Sequence, residues 1–158
     1  MAIDPGFAQR LALLIQDERA GLQGFIALLQ REEALLVATQ IDALSALAEK
    51  KTALYRALQR LSDERVVMFA RLGAKVSDEN IRIVLADLPD ALGAWQEVVS
   101  LAAEARERNR VNGQLITERL QNNQQALSVL LAAAEHPQIY GPDGQSRPTS
   151  SGRLFGSA

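Results

Sequence analysis

The chain has 158 residues, 47% of them hydrophobic, enough for one folded unit with a sizeable core and little room for a second. Its 17 Lys and Arg are balanced by 19 Asp and Glu, so the formal charge of -2 gives no positive field to hold nucleic-acid phosphate or an anionic membrane. Cysteine is absent, which excludes disulfides, thiolate metal sites and cysteine nucleophiles.

Aromatic residues supply 4% of the chain, while Ala, Leu, Gln, Glu and Arg dominate. That composition belongs to long helices packed through aliphatic seams, and strands are not expected. No segment approaches the roughly 20 uninterrupted apolar residues of a membrane span. The opening Met-Ala-Ile-Asp-Pro lacks the basic and apolar regions of a signal peptide, so a cytoplasmic location without membrane insertion is expected.

In chain order, Asp4 followed by Pro5 predicts a helix start, with Pro at the first helical position. Ile15, Leu22, Leu29 and Leu36 recur every seven residues, and Leu11, Leu14, Phe25 and Ile26 widen that line into a stripe, predicting a first helix to about residue 37. The pattern resets at Thr39, read as the cap of a second helix, with Asp42 imitating a capping-box carboxylate. Leu47, Leu54, Leu61 and Met68 form the second seam, ended by Gly73. The short turn between these helices predicts antiparallel neighbours. Ser77 followed by Asp78 and Glu79 predicts a short connecting helix that Pro89 ends.

From Pro89 to Glu135 only Gly113 opposes helix, which predicts a third long helix of roughly 65 Å at 1.5 Å per residue. Leu92, Trp95, Val99, Ala102, Ile116, Leu120, Leu127 and Leu130 are read as its packing stripe, with Trp95 in the core. Arg106, Asn109, Asn112 and Gly113 interrupt that stripe. The plain reading is a thin, solvated section of the bundle; the alternative is a buried polar layer that sets register. The expected architecture is an all-α, elongated antiparallel bundle of three long helices with a short connecting helix and an irregular C-terminal tail. Residues 1–136 form the helical bundle domain and residues 137–158, rich in Pro, Gly, Ser, Arg and Thr, the flexible tail.

No residues converge on catalysis. His136 is the single histidine and no Glu stands three residues before it, so neither a metal site nor a catalytic imidazole is expected. Asp17-Glu18 and Glu32-Glu33 are adjacent pairs whose side chains diverge around a helix, and both are read as solvated faces. Gly141 and Gly144 follow a helix instead of joining a strand to one, so they are no phosphate loop, and Pro142-Asp143-Gly144 is a turn signal. No cofactor is expected. Tyr140 stands alone between a helix end and that turn, where packing back on the bundle and docking on a partner are both open. Leu154 and Phe155 make a second apolar island.

Two seamed N-terminal helices, a linker and a long helix carrying Asn109, Asn112, Gly113, Leu115 and Ile116 lead into Tyr140-Gly141-Pro142-Asp143-Gly144. This arrangement, over about residues 8–145, resembles the FlgN family of flagellar type III export chaperones. The resemblance implies a cytoplasmic chaperone, not an enzyme, that binds hook-associated proteins of the hook–filament junction and delivers them to the export gate. It places cargo contacts in the C-terminal part of the long helix and just beyond, at Leu120, Leu127, Leu130, Leu131, Ile139 and Tyr140, with Tyr140 also a gate-docking candidate. Amphipathic cargo helices would be covered by helix-in-groove binding. The competing reading is a homodimeric coiled-coil adaptor, which seven-residue seams permit equally.

Overall fold

The computed structural model describes residues 3–135 and, in the C-terminal segment, the backbone of 138–140 and 146–148. Among the described residues the fold is all-α: α1 Pro5–Val37, α2 Leu44–Arg71, α3 Asp78–Val84 and α4 Pro89–Glu135. The expectation of no strands is corrected at one place. A three-residue β1, Gln138–Tyr140, pairs antiparallel with β2, Ser146–Pro148, setting Ile139 opposite Arg147. The Gly-Pro-Asp-Gly turn sequence lies between the two strands in the chain, and such residues favour reversal.

Helix boundaries follow local chemistry. Pro5 occupies the first turn of α1, where its missing N–H costs nothing, and the Asp4 carbonyl accepts from the Phe7 and Ala8 amides. Ser77 caps α3 by accepting from the Asn80 amide at 3.1 Å. The ends of α1 and α2 use one motif with different residues. After α2, Gly73 at φ 67° lets the Gly73 amide reach the Ala70 carbonyl and the Ala74 amide reach the Phe69 carbonyl. After α1, Thr39 takes φ 60°, with Thr39 bonded to the Leu36 carbonyl and Gln40 to the Leu35 carbonyl. A β-branched residue is unusual in that conformation. Thr39 therefore closes α1 and does not cap α2, as the sequence reading had it; α2 starts at Leu44 behind a 3₁₀ turn, Ile41–Ala43, with no side-chain cap bond.

Packing divides the chain into two units, residues 1–113 and 114–158, with α4 contributing to both. In the first unit the pairing of residues fixes helix directions. Phe7 meets Phe69, Glu18 meets Arg65 and Glu32 meets Lys51, so α1 and α2 run antiparallel. Arg19 meets Glu97, Glu33 meets Arg108 and Glu32 meets Asn112, so α4 runs parallel to α1. Gly21 permits the close approach of α1 and α2, since a Cβ there would lie 2.8 Å from Leu58 Cδ2.

The main core lies at one end, where Leu11, Ile15, Phe69, Ile81, Leu85 and Trp95 pack together with Phe7, whose ring meets Phe69 edge-on at 5.5 Å. A second, smaller core gathers Phe25, Ile26, Leu29 and Ala105, with Leu54, Leu58 and Leu101 against it. In this unit the buried line of α4 is Ala91, Val98, Ala105 and Asn112 at seven-residue intervals, with Ala94 and Trp95 beside it. The sequence reading followed the larger residues instead. Val99, Ile116, Leu120, Leu127 and Leu130, placed on the packing stripe, are exposed.

Candidate functional site

Three polar side chains lie in the interior of the first unit. Asn112 is 1% exposed, and its amide nitrogen donates to the Leu29 carbonyl and to Glu32 Oε1, both at 2.9 Å. Glu32, 6% exposed, also accepts from Lys51 Nζ at 3.1 Å. The polar interruption in α4 is thus a buried layer tying three helices together, where a solvated section had been the plain expectation. Asn109 and Arg106 on the same interruption are exposed.

Glu18 is the third buried polar residue, and it is held by Arg65. Burial pushes the Glu18 carboxyl above its ordinary value, against the charge and hydrogen bond of Arg65, which pull it down. The Arg65 guanidinium carbon lies 5.0 Å from the centre of the Trp95 ring, and Trp95 Nε1 donates to Asp78 Oδ1 at 2.8 Å. Asp78 titrates below its ordinary value through the hydrogen bonds it accepts from Arg82 and then from Trp95. The reading of both adjacent acidic pairs as solvated faces is corrected: one member of each, Glu18 and Glu32, is buried and paired with a cation. Each falls three residues after a buried stripe residue, Ile15 or Leu29, and that position was the available signal.

These buried groups neutralise one another and leave no pair of carboxylates converging on a cavity. Among the described residues no group of three His, Cys, Asp or Glu could hold a metal ion, and no helix is long and apolar enough to cross a membrane.

The residues expected to bind protein lie in the second unit. Leu120 and Leu127 are each 56% exposed and Leu130 is 67% exposed, with Leu131 and Ile116 also open to solvent. Ile116, Leu120, Leu127 and Leu130 are spaced four, seven and three residues apart, which sets them along one side of α4. From Leu120 to Ala134 there is no Asp, Glu, Lys or Arg; the polar members are Gln121, Asn122, Asn123, Gln124, Gln125 and Ser128. Ile139 and Tyr140 fall on β1, and their side chains lie outside the described residues, as do His136, Leu154 and Phe155.

A family model described as FlgN protein matches residues 1–148, which takes in the helices, the exposed leucines and the β1–β2 pair. The chain belongs to the FlgN family. A flagella synthesis protein FlgN of Yersinia enterocolitica is 28% identical over 152 residues, covering 94% of this chain and 97% of the relative. The FlgN of Salmonella typhimurium is 31% identical over 99 residues, 60% of this chain and 69% of its own length. The Escherichia coli FlgN is 38% identical over 58 residues, 37% of this chain and 41% of its own. No solved structure matches the chain. The match to the family runs three residues beyond the segment on which the sequence resemblance was drawn.

Proposed function

We propose that this FlgN-family protein serves flagellar synthesis as a cytoplasmic export chaperone, covering amphipathic helices of hook-associated proteins and delivering them to the export gate. The observation that carries this reading is the exposed, uncharged apolar stripe of α4 at Ile116, Leu120, Leu127 and Leu130. An apolar stripe of that size facing water is a feature of interaction surfaces, since it gains most by being covered. A cargo helix with its own apolar face at i, i+3, i+4 and i+7 would cover it. Leu131, Ile139 and Tyr140 extend the contact, with residues 137–158 acting as a tail beyond a helical body of residues 1–136 and Tyr140 docking on the gate. Catalysis has no part in this role.

The test is a titration of labelled C-terminal segments of hook-associated proteins with the full chain, with Leu127→Asp and with a version ending at Glu135. One-to-one binding by the full chain, weakened at least about tenfold by Leu127→Asp with helix content unchanged, is the expected result. Undiminished binding by Leu127→Asp removes the stripe from the cargo site. A constitutive homodimer in light scattering, dissociated by the same substitution and indifferent to cargo, assigns the stripe to a second copy and makes the protein a coiled-coil adaptor. Tyr140→Ala is expected to keep thermal stability and lose gate or cargo affinity.

A further inference from the structure

The first unit has a second open surface made of residues different from the α4 stripe. Because α2 and α4 both pack on α1, a trough of about 700 Å³ remains between them, floored by Leu22 and Phe25 and walled by Leu58, Val98, Ala102 and Ala105. Its rims carry Tyr55 and Val99, both exposed. The lining positions on α2, from Tyr55 to Arg65, and on α4, from Trp95 to Asn109, recur at three- and four-residue steps, so two helical rails run beside the trough for roughly 15–20 Å at 1.5 Å per residue. That length admits three to four turns of another helix, in the manner of helix-in-groove recognition.

Charge decides which helix. The one carboxylate lining the trough is Glu18, and Arg65 already occupies it. Arg106 stands exposed on the α4 wall with no ion-pair partner among the described residues. The trough therefore offers an apolar floor and, at Arg106, an exposed cation without an ion-pair partner among the described residues, while its one carboxylate is already paired. We propose that the α2–α4 trough is a docking site for an acidic amphipathic helix of a partner protein, its apolar face on Phe25, Leu58 and Ala102 and a flanking carboxylate toward the exposed Arg106. The α4 stripe is uncharged, so the two surfaces select partners of different character.

The probes are two labelled synthetic peptides of about five turns with one leucine pattern, one flanked by Glu and the other by Lys, titrated against the full chain by fluorescence anisotropy. The Glu peptide is expected to bind saturably and the Lys peptide at least about tenfold more weakly. Arg106→Glu, an exposed substitution whose folding circular dichroism checks, is expected to weaken the Glu peptide by at least about tenfold. Leu127→Asp is expected to leave its affinity unchanged, which separates this site from the cargo stripe. Raising salt from about 50 to about 200 mM is expected to weaken the Glu peptide severalfold. Equal binding of both peptides, or full affinity in Arg106→Glu, overturns the proposal. Loss of binding in Leu127→Asp moves the peptide to the stripe and overturns it as well. A homodimer dissociated by Arg106→Glu gives the trough to a second copy instead.

Discussion

The two halves of α4 use opposite rules for the same helix. Up to Gly113, the buried line is Ala91, Val98, Ala105 and Asn112, small or polar residues seated against α1, while Val99 faces water. From Gln114 onward the large residues Ile116, Leu120, Leu127 and Leu130 face water, and among described side chains of this half none is buried. Residue size and burial are therefore uncoupled along this helix. In the first half what faces α1 and α2 is inside, whether small, as Ala91 and Ala105, or large, as Trp95. In the second half the apolar stripe is complete, but among the described residues nothing buries it, which is the condition of a surface awaiting a partner.

The largest expected effect separates the halves by stability. Trp95→Ala removes a ring packed in the main core, its bond to Asp78 and its contact with Arg65, and is expected to cost about 3–5 kcal/mol of unfolding free energy. Leu130→Ala in the second half is expected to change stability by less than about 0.5 kcal/mol. Urea unfolding of the two variants decides the matter: similar losses would mean that the second half is packed in solution, and the contrast would fail.

A smaller effect tests how the first half is anchored. Asn112→Leu leaves the Leu29 carbonyl and the buried Glu32 without their shared donor, at an expected cost of about 1–3 kcal/mol. Adding Glu32→Leu removes the carboxylate that Asn112 and Lys51 share, and the double loss is expected to fall short of the sum of the two single losses, because partners in one buried network do not act additively. Simple addition of the two single losses would show that Asn112 and Glu32 do not act as a unit.

Much of this was legible beforehand. Pro5, Gly73, Ser77 and Pro89 mark helix ends through backbone chemistry that depends on a few neighbouring residues, so α1, α2, α3 and α4 could be bounded without knowing what they pack against. Thr39 misled because its positive φ is imposed by the closing turn and is foreign to a β-branched residue; as a side chain it looks like a cap. Asn112, Glu18 and Glu32 were misjudged for a related reason. A polar residue on a helix reads as solvated until a specific donor or cation across the bundle is known, and Lys51 lies 19 residues from Glu32 and Arg65 47 residues from Glu18. The exposed leucines of α4 were chosen through family resemblance while also being read as packing stripe, since periodicity gives a face but not what covers it.

The finest test concerns the charge buried beside Trp95. Burial raises the Glu18 carboxyl above its ordinary 4.5, so the folded protein holds that proton more tightly than the unfolded chain does. The sign follows: the contribution of Glu18 to stability is full below pH 4.5 and is lost as pH rises through its raised titration. Arg65 opposes the shift, hence Arg65→Met is expected to move the Glu18 titration still higher and widen the window. Carboxyl-carbon NMR on the intact protein and on Arg65→Met reads both directions. A Glu18 midpoint at or below 4.5 in the intact protein would mean that the ion pair outweighs burial at this site. The first half of α4 would then be packed against a stabilising charge pair, and the difference between its two halves would be electrostatic as well as steric.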